Sequence, residues 1–578
     1  MGFLISKTAH FYDKQKSHKE FWKRYQRPPK EEYWDYIINR RDLLVPPDIR
    51  SRKGSFFTPQ IWAEKSQEYI ASVLGKNWQE EYHIWDLAAG TGNLLAGLTN
   101  INNIWASTID QADVDIMLAR LRSGSGMFRN HIFKFDFLND DFSKLPKGLK
   151  KVIDENPEKL IIYINPPYAE AGNIKKLSGT GEHKDKVSLG NKTYEKYKDI
   201  LGNASNEVFS QFFIRIYKEI PNCILASFSK LKYINATNFE KFRDVFKAKF
   251  LKGFIVPANT FDNVSGKFPI GFLIWDTSKK QKVKNIKVDI FDRIQGNEIS
   301  KLSGKKNFYS GEKVRNINNW LKKFIDNSDK KLGVLMADAP DFQHNNHIAI
   351  INQPLKAHLI FQNITDNNLI PFCIYLSVRL CINGSWINDR DQFLYPTQKW
   401  ETDREFQNDC LTFTLFHGQN RITAGQHARR SEAGVNHWIP FSEAEVGAAE
   451  SFDSHFMKEF IDGKIKPKET QGVKSVLLSE NASFIPVKPL RFSKEAKDVF
   501  ESGKKLWKYY HATGSYINTN ASYYDIRKYF QGTDANGRMN NKSIDEEYNK
   551  LIKDLRDKMD VLAKKIEPKI YEYGFLRE

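Results

Sequence analysis

The chain has 578 residues, room for two to four domains, and its 40% hydrophobic and 13% aromatic content exclude a disordered protein outside tails and loops. Lysine and arginine number 88 against 70 acidic residues, and a net charge of +18 favours polyanionic partners. Cys223, Cys373, Cys381 and Cys410 make no C-x-x-C pair and no zinc-spaced set, and no stretch approaches the ~18 apolar residues of a membrane span, so a metal-free protein of the reducing cytoplasm is expected.

Residues 1–54 read as a basic, aromatic, irregular arm, with Trp22, Tyr25, Trp34 and Tyr36 interrupted by prolines at 28, 29, 46 and 47. An α/β rhythm begins at residue 55. Thr58-Pro59 reads as an N-cap followed by proline at the first helical position, and the helix stops near Gly75. Apolar runs predict strands at His83–Leu87, Asn103–Ile109, Ile132–Phe137, Leu160–Ile164, Cys223–Phe228, Phe254–Val256 and Gly271–Trp275. Helical patterns between several of them predict a mostly parallel sheet with helices on both faces. Residues 169–204, rich in glycine and lysine, read as a long mobile loop. Past residue 300 the rhythm gives way to an α+β pattern with a charged helix near 544–567. Three parts follow: an arm (1–54), an α/β domain (55–300) and a C-terminal α+β domain (301–578).

The sharpest chemical signal is Asn165-Pro166-Pro167-Tyr168, directly after the strand Leu160–Ile164. Open α/β sheets bind ligands at the carboxyl ends of their strands. The N6 amine of adenine is a poor nucleophile because its lone pair is delocalised into the ring. The Asn165 side-chain oxygen and the Pro166 carbonyl can each accept one N–H, which localises the lone pair and aims it at a methyl-bearing sulfonium. Prolines fix the two acceptors beforehand, and Tyr168 offers a face for an extruded base. Alone, such a turn also ends strands by chance.

Asp86-Leu87-Ala88-Ala89-Gly90-Thr91-Gly92-Asn93 follows the first strand, and a helix N-terminus is expected after it. The loop lacks the third glycine of the dinucleotide fingerprint, so it suits a zwitterionic methionine moiety better than a pyrophosphate. Asp110 ends the second strand, at a spacing that reaches a ribose hydroxyl, and Asp136-Phe137 ends the third, where the acid can accept from an adenine amine and the ring can pack on it. Each aspartate alone suits a cap or turn equally well; together, at successive strand ends, they mark a site.

In this ordered set the chain resembles amino-methylating DNA methyltransferases of the gamma order, over residues 55 to about 280. The resemblance implies a Rossmann-like class I methyltransferase sheet, S-adenosylmethionine as cofactor and double-stranded DNA as partner. It carries the cofactor roles onto Phe57-Thr58-Pro59-Gln60, Asp86, Ala88, Gly90, Asp110, Asp136, Phe137 and Asn165. Catalysis falls on Asn165, Pro166 and Tyr168, and contact with the flipped base on these and on Phe268. Segments Thr412–Arg421, Gly434–Phe441 and Leu506–His511 resemble the family's target-recognition region, as segments that follow recognition strands. Relatives that also cleave DNA carry a nuclease domain ahead of the cofactor motif; the ~54 residues here hold no carboxylate–lysine metal cluster, so methylation without cleavage is expected.

Base readers are expected among Gln419, Asn420, Arg421, Gln426, Arg429 and Arg430, while His417, His427 and His437 match no metal spacing. The basic arm and lysine-rich loop would contact phosphates. A nucleoid-associated monomer is expected. Adenine methylation of RNA, methylation of a protein glutamine amide, and a decayed, non-catalytic DNA-binding module remain as alternatives.

Overall fold

In a computed structural model, the described residues are 16, 19, 20, 23, 58–122, 129–168, 189–261, 266, 268–292, 302–311, 315–326, 331–355, 358–425, 434–465, 484–514 and 517–578. The arm predicted at 1–54 lies outside them save for four positions. The chain divides into two compact units: residues 1–313 with Ser385–Arg390, and 314–384 with 391–578.

The first unit is built on a nine-stranded sheet in the order β3-β2-β1-β4-β5-β7-β6-β8-β9. Helix α1 (Gln60–Leu74) precedes β1 (His83–Asp86) and β2 (Ile104–Thr108), and α2 (Gln111–Arg122) leads to β3 (Ile132–Lys134). Helix α3 (Lys147–Glu155) precedes β4 (Leu160–Ile164); α4 (Lys192–Leu201) and α5 (Val208–Glu219) precede β5 (Ile224–Lys230). Strands β6 (Lys249–Pro257), β7 (Pro269–Asp276), β8 (Asn285–Phe291) and β9 (Leu302–Tyr309) complete it. Strands β1 to β5 pair in parallel, whereas β7 pairs antiparallel with both β5 and β6.

Strand periodicity sorts the core into two layers. Ile84, Ile161, Tyr163 and Ala226 face a cluster shared with Trp62 and Ile70 of α1; Trp85, Ile162, Ile164 and Leu225 face one shared with Val152 of α3 and Phe213 of α5. Both faces of β4 are therefore buried, and it reads as an unbroken apolar run rather than an alternating one. Asn235 Nδ2 donates to the Arg390 carbonyl at 3.1 Å, and Trp386 and Ile387 pack on the second of these clusters.

Several sequence expectations need correction. Thr58 does not cap α1: the helix starts after Pro59 with no side-chain cap, because the threonine hydroxyl is engaged elsewhere. No long helix follows the glycine loop. Gly90 (φ 52°) and Gly92 (φ 85°) adopt left-handed backbone, and only the short 3-10 turn Asn93–Leu95 comes next. Strand β3 ends at Lys134, so Asp136 and Phe137 sit in the turn beyond it. Of the expected loop 169–204, residues 169–188 lie outside the described residues, while 192–201 form α4. Asn191 caps it by accepting from Tyr194 N, and Thr193, Tyr197 and Leu201 bury one face.

The second unit holds a three-stranded antiparallel sheet, β11-β10-β12, from β10 (Gly333–Ala337), β11 (Ala349–Ile351) and β12 (Ile360–Ile364). Helices α6 (Leu369–Leu380), α7 (Arg404–Phe416), α8 (Lys494–Ala512), α9 (Tyr523–Gln531) and α10 (Glu546–Glu572) pack into one core with it. Thr412–Phe416 is thus the buried end of a helix, and Leu506–His511 lies inside another, rather than following strands as expected. Among the described residues no helix is long and apolar enough to cross a membrane, and no cluster could hold a metal ion.

Candidate active site

In the sheet's first half the chain moves outward from β1 through β2 to β3, then returns to β4 on the other side of β1. That reversal opens a crevice at the carboxyl ends of β1 and β4. A cavity of about 660 Å³ occupies it, within the ~300–1,000 Å³ usual for ligand pockets. Thr58, Asp86, Ala88, Gly90, Asp110, Asp136, Phe137 and Asn165 all line it.

The three aspartates share a local geometry. Asp86 Oδ1 accepts from Ala88 N at 3.1 Å, Asp110 Oδ1 from Ala112 N at 3.0 Å, and Asp136 Oδ1 from Leu138 N at 3.0 Å. Each therefore serves both readings of its sequence position: it fixes the turn after its strand and borders the cavity. Asp136 is held further by Asn139, whose Nδ2 donates to Oδ2 at 2.9 Å. Asp86 is only 2% exposed, and burial pushes its carboxyl up to about 8 against the pull of the Ala88 N–H. Burial thus favours the protonated form of Asp86, and a cation placed against it would favour the carboxylate.

Phe137 stacks on Phe212 of α5 with centroids 5.3 Å apart and meets Trp85 edge-on at 6.0 Å. Beneath it, buried Arg215 donates to the Phe137 carbonyl, to the Asp140 carbonyl at 2.8 Å and to Glu219 at 2.9 Å. Its guanidinium carbon also sits 5.0 Å from the Phe137 centroid.

At the end of β4, Asn165 Nδ2 donates to Thr58 Oγ1 at 2.9 Å, and the Tyr168 hydroxyl donates to Asn165 Oδ1 at 2.6 Å. The amide is oriented from both ends. Helix α1, which follows Thr58, is tied to β4 in turn: Tyr163 Oη lies 2.5 Å from Ser66 Oγ. Pro166 and Tyr168 are buried and do not line the cavity; the Tyr168 ring, 8% exposed, packs in the core, so its face is not open to a stacking base. Phe268, just before β7, is partly buried against that same core and also lies off the cavity wall.

Sequence reasoning missed the residues that brace these turns. Lys230, the last residue of β5, donates to the Tyr168 carbonyl at 3.3 Å and pairs at 3.2 Å with Glu207, which is 2% exposed and also pairs with Lys232 at 2.5 Å. A lysine ending a parallel strand beside β4 carries the strand-end signal already applied to the aspartates. Arg215, amid Phe-Phe-Ile-Arg-Ile-Tyr, carries another: a charge on the apolar stripe of a helix.

In the second unit, Asn420 is 4% exposed and donates to the Thr414 carbonyl at 3.3 Å, Arg421 is exposed, and Gln426, His427, Arg429 and Arg430 lie outside the described residues. His417 is held neutral, its pKa lowered to about 4 by burial and secondarily by the charge of Arg527. His437 Nδ1 lies 2.7 Å from Ser454 Oγ.

No protein-family model and no curated protein matches the chain. Among solved structures it is similar to the DrdV–DNA complex, at 15% identity over 44% of this chain and 29% of that one (TM-score 0.33). It is similar also to a modification subunit of a putative type I restriction enzyme from Vibrio vulnificus (11% identity, 51% of this chain, 60% of that one, TM-score 0.30). A third is a putative class I S-adenosylmethionine-dependent methyltransferase from Listeria monocytogenes (14%, 42%, 64%, TM-score 0.24). The chain spans less than two thirds of each of these chains.

Proposed function

We propose that the protein is an S-adenosylmethionine-dependent methyltransferase acting on the N6 amine of adenine in double-stranded DNA. The observation that carries this reading is the meeting, in one cavity, of carboxylates from three successive strand ends with the oriented amide of Asn165. The residues present fit the cofactor: Asp86 would face its ammonium, Asp110 its ribose hydroxyls, and Asp136 with Phe137 its adenine. Bound there, the cofactor supplies an electrophilic methyl group.

The chain's own residues would then hold the acceptor. The Tyr168 hydroxyl, donating to Asn165 Oδ1, fixes the carboxamide whose oxygen would take one N6–H. The Pro166 carbonyl, buried and off the cavity wall, would take the other N–H once the incoming base reaches it. Two fixed acceptors localise the amine's lone pair at no cost in reorganisation. The adenine must leave the duplex to reach them, and the net charge of +18 favours the phosphate contacts that offset that cost.

Motif placement further suggests a monomeric, metal-independent, cytoplasmic adenine methyltransferase, with residues 301–578 serving target recognition. The test is to incubate the protein with labelled cofactor and either DNA or RNA, digest to nucleosides and identify the product. N6-methyldeoxyadenosine supports the reading; methylated RNA alone, or cofactor uptake without any product, refutes it.

A further inference from the structure

Nine buried side-chain polar atoms lack a hydrogen-bond partner among the described residues, and two of them belong to Gln419, the residue after Gly418, and to Arg527, whose guanidinium reaches Gly418. Gly418 and Gln419 lie in the turn after α7. That turn is pinned: Ile350 N donates to the Gln419 carbonyl at 2.9 Å, and Arg421 N donates to the Ile350 carbonyl at 2.8 Å. Arg527 comes from α9, whose start is fixed by a capping box between Ser522 and Asp525.

The guanidinium is braced without being neutralised. Its carbon sits 5.5 Å from the Tyr523 ring centroid, and a Cβ added at Gly418 would lie 2.8 Å from Nη1, so only glycine lets the group rest there. The nearest acid in sequence, Asp525, commits its Oδ2 to Ser522 N, Ser522 Oγ and Ala424 N. No carboxylate pairs with Arg527 among the described residues. The Nε of an arginine that reaches the Gly418 turn from α9 and a glutamine carbonyl in that same turn thus both lack a hydrogen-bond partner among the described residues.

Their chemistry selects a partner. A phosphate offers acceptors alone; it would serve Arg527 and leave the Gln419 carbonyl unpaired, at a cost in free energy. In the major groove a G·C pair offers two acceptors, guanine O6 and N7, next to one donor, the cytosine N4 amine. An arginine fork fits the first and an amide carbonyl fits the second. We propose that Arg527 and Gln419 together read one G·C base pair of the DNA target, with Arg527 donating to guanine and Gln419, after a side-chain rotation, accepting from cytosine. This rests on the DNA methyltransferase reading above.

The test maps methylated adenines by long-read sequencing after incubating genomic DNA and cofactor with the intact protein, Arg527→Met, Arg527→Lys or Gly418→Ala. Melting curves and calorimetric cofactor binding are measured on each. The expected result is a G·C pair at one position of the unaltered protein's target, and a loss of preference there of roughly 10- to 100-fold in Arg527→Met. Lysine, a point charge without the fork, should restore only part of it. Gly418→Ala, which leaves the arginine in place but displaces its head, should weaken the same position and remain folded. A target without any G·C pair, or an unchanged preference in both Arg527→Met and Gly418→Ala, overturns the proposal. So does a uniform loss at all sites, which would make Arg527 a phosphate contact. Should the unaltered protein bind cofactor yet methylate no adenine, the enzymatic reading falls, and this one with it.

Discussion

Thr58 accepts a 2.9 Å hydrogen bond from the side chain of Asn165, which lies 107 residues further along the chain. The bond settles which end of the carboxamide faces which way. With Nδ2 turned to Thr58, Oδ1 is the atom that would accept from a substrate amine. Thr58→Val keeps the shape and removes the acceptor. It should lower single-turnover methylation about tenfold, in line with the loss of one orienting hydrogen bond, while Thr58→Ser restores it. Equal rates in Thr58→Val and the unaltered protein would free Asn165 from this dependence.

Asn165→Ala should cost at least ~100-fold in turnover, as removal of one preorganised partner does elsewhere. Cofactor affinity by calorimetry should change little, because the three aspartates remain. Near-normal turnover would take Asn165 out of the mechanism.

The buried carboxyl of Asp86 makes a pH prediction. Its folded pKa, about 8, lies above the unfolded value near 3.8, so the folded state retains a proton that the unfolded chain releases. Stability arising from Asp86 is therefore complete below about pH 4 and is lost as pH rises to about 8, at no more than ~1.4 kcal/mol per pH unit. Asp86→Asn keeps the acceptor for Ala88 N and cannot ionise. Cofactor-free, it should match the parent at low pH and melt progressively higher than it as pH climbs to 8, while binding cofactor far more weakly. Parallel melting profiles would show that the carboxyl ionises freely.

Arg215→Met should loosen the turn from Phe137 to Asp140, since it removes two backbone anchors and the cation beneath the ring. The Michaelis constant for the cofactor should rise about tenfold, with kcat falling less. A matched fall in kcat at constant Michaelis constant would contradict this placement.

Much of the first unit was legible because its strands are either unbroken apolar runs or carry chemistry at their ends. All seven predicted strands occur, and the aspartates and Asn165 do converge. What failed did so for tertiary reasons. Thr58 has the sequence of a cap, but its hydroxyl is claimed by a residue over a hundred positions away. Lys192–Leu201 is too polar overall to announce a helix, and forms one because Tyr197 and Leu201 find a core. Tyr168 reads as an exposed platform and instead spends its ring on packing and its hydroxyl on Asn165. The second unit was barely legible: its helices are buried on several sides, and nothing local tells Thr412–Phe416 from a strand.

The six residues Ser385–Arg390 return to the first unit from more than seventy positions past its main body, bringing Trp386 and Ile387 to its core. No single cleavage of the polypeptide can therefore yield that half whole. A fragment ending at residue 313 would expose the apolar ground those two side chains cover, so laboratories seeking a minimal form of this unit should graft the hexapeptide back rather than simply shorten the gene.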